Sequence, residues 1–121
     1  MQSHEQEPLR LSLKITLRNG GRLGPGKIAL LEAIDRLGSI SAAGRHFSMS
    51  YRRAWELVED MNRTVGRDVV STSAGGPRGG GARLTETGRD VIDAYRCGEK
   101  AALVAAKAHL DRLDRLARPE S

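Results

Sequence analysis

The stretch Gly38-Ser-Ile-Ser-Ala-Ala-Gly-Arg-His-Phe-Ser-Met-Ser-Tyr-Arg-Arg-Ala-Trp-Glu-Leu-Val-Glu-Asp-Met61 decides how this chain is read. It parses as a short helix, a tight turn and a second helix. Ser41 is placed to cap the first helix, because a serine oxygen accepts from an otherwise orphaned backbone N–H. Ala42, Ala43 and Phe47 then supply an inward face. Ser48-Met49-Ser50 is the break, with Ser50 as the second cap. Ala54, Trp55, Val58 and Met61 recur at helical spacing and predict the buried stripe of the second helix. Ser50, Tyr51, Arg52, Arg53 and Glu56 are left outward. A helix whose first turn offers Ser, Tyr and two arginines suits a DNA major groove, since base readers on such helices sit near the N-terminal end. Two short amphipathic helices also occur in any helical domain, so the rest of the chain must arbitrate.

A chain of 121 residues makes one domain, or one domain with an extension. Hydrophobic residues are 39% of it and aromatics 3%, so the core must be built from Leu, Ile, Val and Ala. That favours packed helices over a β-sandwich. The net charge is +5. Its excess lies in the front two-thirds, whereas residues 90–121 balance six basic against six acidic groups. Such a distribution suits a polyanion-binding module followed by a neutral oligomerisation element, although plain solubility would also be served. Cys97 is the single cysteine, which excludes an internal disulfide and points to a cytoplasmic protein. No apolar run approaches the roughly 18–20 residues of a membrane span, and the polar N-terminus lacks the apolar run of a signal peptide.

Upstream of the opening stretch, residues 1–8 read as disordered. Leu9 to Leu17 alternates apolar and polar residues, which predicts a nine-residue strand with Leu9, Leu11, Leu13, Ile15 and Leu17 on one face. Its partner would be a later strand or its copy in a second subunit. Asn19-Gly20-Gly21 is a turn signal. Leu23 to Gly26 reads as a loop, with Pro25 suited to a helix start. Lys27 to Leu37 reads as a helix with Ile28, Leu31, Ile34 and Leu37 as its inward stripe, ended by Gly38. Gly66 closes the second helix of the pair.

Downstream, Asp68 to Ser73 reads as a strand. A glycine-rich loop follows, Ala74-Gly-Gly-Pro-Arg-Gly-Gly-Gly-Ala82, and then a returning strand over Arg83-Leu84-Thr85. Attached to a helix-turn-helix, this hairpin is a wing. Glycine lets backbone N–H groups approach a phosphate, and Arg78 at the tip is placed to reach a phosphate or a minor groove. A surface loop with no such task would look similar. The glycine run is not a P-loop, since no Gly-Lys-Ser/Thr is present, and no βαβ unit supports a dinucleotide fingerprint.

Thr85 is placed to cap a last helix running to about Ala117, or roughly 48 Å. That exceeds what so small a domain can cover. Leu103, Ala106, Leu110, Leu113 and Ala117 alternate at spacings of three and four, the seam of a coiled coil. The expectation is a dimerisation helix; folding back on its own domain is the competing outcome. His4, His46 and His109 lie on different elements without metal-ligand spacing. No nucleophile motif such as Gly-x-Ser-x-Gly occurs. No metal site and no catalytic residues are expected, so the chain does not read as an enzyme.

With the wing placed, the chain resembles the N-terminal DNA-binding domain of ModE-type molybdate-responsive transcriptional regulators, a winged-helix module akin to that of LysR-type regulators. The matching residues are Gly38-Ser39-Ile40-Ser41, Ala42-Ala43, Ser50-Tyr51, Ala54-Trp55, Met61-Asn62, Gly75-Gly76, Gly79-Gly80-Gly81, Leu84-Thr85 and Gly88. The resemblance covers about residues 10–110. It implies a homodimer on a two-fold symmetric operator of double-stranded DNA, often repressing molybdate uptake genes. Arg53 departs from the small residue that the family pattern suggests there. Full-length members carry C-terminal molybdate-binding domains, and the chain ends where those would start. Molybdate thus belongs to the family picture, and no cofactor is expected in this chain.

The expected fold class is mainly α with a small β component: a winged helix-turn-helix over residues 9–88, a long C-terminal dimerisation helix over 89–118, and a tail over 119–121. The expected DNA contacts are Ser39, Ser50, Tyr51, Arg52 and Arg53, with Gly76, Arg78, Gly79 and Gly80 of the wing. The expected dimer contacts are Leu103, Ala106, Leu110 and Leu113. The expected function is a sequence-specific transcriptional regulator, more specifically a repressor, without a membrane partner. The alternative is a winged-helix protein-interaction module that does not read DNA.

Overall fold

A computed structural model describes residues 7–73 and 81–117. Eight elements follow in order: β1 (Ile15–Thr16), β2 (Arg22–Leu23), α1 (Pro25–Leu37), α2 (Ile40–His46), α3 (Tyr51–Val65), β3 (Val70–Thr72), β4 (Ala82–Leu84) and α4 (Glu86–Leu116). β1 pairs antiparallel with β2, and β3 pairs antiparallel with β4. This is a winged helix-turn-helix with a long C-terminal helix.

The core forms around α1. Ile28, Leu31 and Ile34 are buried as the stripe predicts, but so are Leu30 and Ala33. The helix is covered on more than one side because α2, α3, α4 and β4 all pack against it. Leu37 is 43% exposed, since it lies in the last turn, beyond that cover. Each fully buried Leu or Ile contributes roughly 1.5–3 kcal/mol. Pro25 opens α1 and Gly38 ends it at φ 70, a conformation that favours glycine. Gly66 ends α3 in the same way.

The long N-terminal strand is not formed. Only Ile15 and Thr16 are strand, because their partner β2 is two residues long and gives way at once to α1. Residues 9–14 have no strand to pair with. They run instead beside α4, where the Tyr95 hydroxyl donates to the Leu13 carbonyl at 2.7 Å. Burial raises the Tyr95 pKa above 10.0, aided by Glu99. Leu11 and Leu13 keep a half-buried alternation, while Leu9 and Leu17 are exposed. The Asn19 turn is present, and its amide donates to the Thr64 carbonyl at 2.8 Å, tying the hairpin to the end of α3. Expectations for residues 1–6 and 119–121 lie outside the described residues.

The junction of wing and long helix is fastened at Thr85. Its hydroxyl accepts from Gly88 N–H at 3.0 Å and donates to the Asp68 carbonyl at 2.7 Å, so the expected cap also holds the start of the wing. Farther along α4, Arg96 meets Glu32 of α1 at 2.7 and 3.0 Å and Glu99 at 2.8 Å. Bonds to these two carboxylates raise the guanidinium's pKa further, so it stays charged.

Gly88 leaves no room for a side chain: a Cβ there would lie 2.1 Å from the Val69 carbonyl oxygen. Gly98, on the same helix, would meet nothing within 4 Å. Gly88→Ala should therefore destabilise by about 3 kcal/mol, whereas Gly98→Ala should stabilise by about 0.5–1 kcal/mol through helix propensity. Urea titrations of the two variants check this; equal effects would refute the close approach.

Candidate nucleic-acid interface

The candidate interface is built on α3. Ser50 caps it as expected, its Oγ accepting from Arg53 N–H at 3.0 Å. Ala54, Val58 and Met61 anchor the helix in the core. Tyr51, Arg52, Arg53 and Glu56 are exposed, as the sequence predicts. The turn before the helix places Ser48 at φ 56, an uncommon conformation for a residue with a Cβ.

Three expectations about this motif are overturned. Ser39, not Ser41, caps α2, accepting from Ala42 N–H at 3.0 Å. The helix begins two residues earlier because Ile40 is drawn into the core, and Ser41 Oγ accepts from Arg45 instead, at 2.8 Å. Phe47 is 38% exposed, lying past the last turn of α2 with its ring edge-on to His46. Trp55 is 36% exposed. It sits at the edge of the apolar stripe, where the core is already filled by Ala54 and Val58.

Arg52 and Arg53 share Glu56, at 3.5 and 3.7 Å. These pairs are exposed, and such pairs hold their partners by only about 0–1 kcal/mol. Either arginine can therefore leave Glu56 for a stronger anion at little cost. Asp60, farther along α3, is bonded by Lys27 from the start of α1 and lies 3.4 Å from Arg63. The Lys27 hydrogen bond holds its carboxyl below the ordinary 3.8, against the opposing pull of burial.

Two clefts flank the helix. On one side Tyr51 and Trp55 share a cleft of about 390 Å³ with Ser39, Ser41, Thr72 and Ser73. It is held open by Ala82 N–H donating to the Gly38 carbonyl at 2.9 Å, which fixes the wing base to the α1–α2 turn. On the other side Arg53 joins Lys14, Arg22 and Lys27 around a cleft of about 640 Å³. The structure therefore brings Ser39 and Tyr51 to one cleft and Arg53 to the other, with Arg52 exposed on the same first turn of α3 and Ser50 opening that helix. Gly76, Arg78, Gly79 and Gly80 lie outside the described residues; the wing is seen up to Ser73 and from Gly81, which exchange hydrogen bonds at 3.0 and 3.1 Å. Sequence reasoning missed that Trp55 opens onto the cleft, and missed Thr72, Ser73, Lys14 and Arg22 as neighbours of α3. The basic count of residues 1–27 was the one available signal for the last two.

Of the seam on α4, Leu103 is half-buried and shares a groove with Leu9 and Leu11 of its own chain. Ala106 and Leu110 are half-buried, and Leu113 is 61% exposed, with Val104 and Leu116 exposed beside it.

No family model matches the chain. Individual proteins do. The molybdenum-pterin-binding protein MopB of Rhodobacter capsulatus is 49% identical over 78 residues, 64% of this chain and 29% of that protein. Over the matched residues the chain is similar to the ModE and Mop proteins. The molybdenum transport protein ModE of Azotobacter vinelandii is 39% identical over 94 residues, 78% of this chain and 33% of its own length. The DNA-binding transcriptional dual regulator ModE of Escherichia coli K12 is 38% identical over 71 residues, 59% of this chain and 27% of its own. The chain thus spans about a third of the length of these ModE and Mop relatives. Among solved structures, full-length LysG of Corynebacterium glutamicum, a LysR-type regulator with bound Arg, is 28% identical with a TM-score of 0.53, covering 78% of this chain and 30% of that one. The DNA-binding domain in the CbnR–DNA complex is 19% identical with a TM-score of 0.53, covering 77% of this chain and 97% of that one; it supports the fold. Of these, the Escherichia coli protein is named a DNA-binding transcriptional regulator, and the two solved structures are a LysR-type regulator and a DNA-binding domain on DNA. No helix among the described residues is long and apolar enough to cross a membrane.

The Asp60 pair makes a pH prediction. Its folded pKa is depressed, so its contribution to stability is present above 3.8 and is lost as pH falls through the lower folded value. Asp60→Asn should lose less stability than the parent when acidified from neutral pH to below 3.8. Urea midpoints across that range check it, and parallel losses in the two proteins would refute it.

Proposed function

We propose that this chain is the DNA-binding part of a transcriptional regulator and that it binds duplex DNA as a homodimer. The observation that carries the reading is α3: a capped helix whose buried side is fixed by the core and whose opposite side offers Tyr51, Arg52 and Arg53 beside a wing. Its N-terminal half enters the major groove, where Arg52 and Arg53 exchange Glu56 for base edges or phosphates. Ser39 and Ser50 have their oxygens engaged as caps, which leaves their O–H groups to donate to phosphates. On this reading the wing loop, with Gly76, Arg78, Gly79 and Gly80, flanks the groove. Relatives named as DNA-binding regulators support the assignment.

The dimer reading rests on α4. Val104, Leu113 and Leu116 are exposed apolar side chains on the far half of a 31-residue helix. A second copy packing along Ala106, Leu110 and Leu113 would cover Leu113, and its symmetry calls for a two-fold symmetric operator. In this reading the protein acts in the cytoplasm as a repressor, with molybdate-related genes as targets by analogy with relatives named for molybdenum.

Molybdate itself does not fit the described residues. A tetrahedral dianion needs converging, desolvated donors, and the buried side-chain polar groups among them are Thr64 and the Tyr95 hydroxyl, which is already bonded to Leu13. Nor is there a group of three or more His, Cys, Asp or Glu side chains able to hold a metal ion among them.

A shift assay at low salt tests the function. Duplex DNA should be retained, and its affinity should fall steeply as salt rises, because each phosphate contact releases counterions. Arg52→Ala should weaken binding by on the order of 1–3 kcal/mol if Arg52 meets a base edge. Added molybdate should leave the affinity of this chain unchanged. Absence of duplex binding at low salt would sink the proposal.

A further inference from the structure

The geometry points to Tyr51 and Trp55 as an apolar reading edge for thymine, taking the 5-methyl groups of one or two thymines in the major groove. This rests on the DNA-binding reading above and deepens it by naming what part of that helix recognises. Trp55 and Tyr51 are four residues apart, so their side chains lie one above the other on the same helical face. Both are open to solvent, at 36% and 57%. They face the same cleft, walled by the α2 start and the wing base. Trp55 is about two-thirds covered, and its uncovered part is open to an apolar partner. Exposing an aromatic surface in water costs free energy that contact with another apolar group recovers.

On the side of α3 toward the wing, the cleft presents two rings and the hydroxyls of Ser41, Thr72 and Ser73. Arg52 and Arg53 lie on the other positions of the first turns. The surface is therefore divided. The arginines suit the acceptor edges of guanine and the phosphates, while the ring carbons of Tyr51 and Trp55 offer apolar surface. The major groove offers one apolar group, the thymine methyl. A duplex drawn in by the arginines brings that group to the rings. Stacking of an unpaired base on the same rings is the competing use of exposed aromatics, and it belongs to single strands.

The test uses the full chain and duplexes selected by it from a random-sequence pool. Each thymine of the selected site is replaced singly by deoxyuridine, which removes the methyl and keeps every hydrogen-bonding group. At one or two positions per half-site the affinity should fall about four-fold, the worth of one buried methyl. Tyr51→Ala or Trp55→Ala should abolish the penalty at its own position and weaken binding overall, with the salt dependence kept. Tyr51→Phe should keep it, since the ring and not the hydroxyl makes the contact. Trp55 is the single tryptophan, so its fluorescence should change on duplex binding. Because the Tyr51 side chain is the more exposed, its variant tests the idea even if Trp55→Ala folds poorly. Duplex binding that tolerates deoxyuridine everywhere would overturn the thymine reading and leave the DNA-binding reading standing. Equal retention of single strands would overturn it in favour of base stacking. Failure to retain any duplex would overturn both readings.

Discussion

The rest of the structure depends on the burial of α1. A helix with Ile28, Leu30, Leu31, Ala33 and Ile34 all without solvent exposure cannot be covered by one neighbour. It draws α2, α3, α4 and β4 against it. Once α3 is held there by Ala54, Val58 and Met61, its other side has nowhere to face but solvent. The candidate interface is in this sense the remainder of core packing: polar and aromatic groups that the core has no room for are gathered on the opposite face of one helix.

The second constraint is the short joint between wing and long helix. Thr85 bonds both Gly88 and Asp68, and Gly88 lies against the Val69 carbonyl. The β3–β4 hairpin and the start of α4 therefore share one anchor. The Ala82–Gly38 hydrogen bond ties the other side of the hairpin to the helix pair. The wing base is thus fixed relative to the α1–α2 turn. The Arg96–Glu32 pair extends the same fixation along α4.

Much of this was legible in the sequence because it depends on short-range rules. The glycine at Gly38, the serine at Ser50, the threonine at Thr85 and the apolar spacing of α1 and α3 each act within a turn or two. The errors share a different character. Trp55 fits the helical stripe by spacing, yet helical spacing does not say where a stripe's edge falls; that depends on how far α2 and the wing close over α3. The strand from Leu9 to Leu17 has the right alternation, yet a strand exists only where a partner does, and β2 supplies two residues. Lys14 and Arg22 were counted as charge but not placed beside Arg53, because the turn that folds them back is fixed by Asn19 bonding Thr64, 45 residues away.

The sequence alone therefore determined the order of the helices and of the β3–β4 hairpin, the caps at Gly38, Ser50 and Thr85, the helix-turn-helix and the outward set Tyr51, Arg52, Arg53 and Glu56. These follow from hydrogen-bonding and periodicity that neighbouring residues settle among themselves. Only the tertiary structure decided which apolar side chains are covered. It left Trp55 and Phe47 partly open, buried Leu30 and Ala33, and turned the N-terminal segment along α4. Burial is a property of how elements meet, and the space between elements is set by contacts that are distant in sequence.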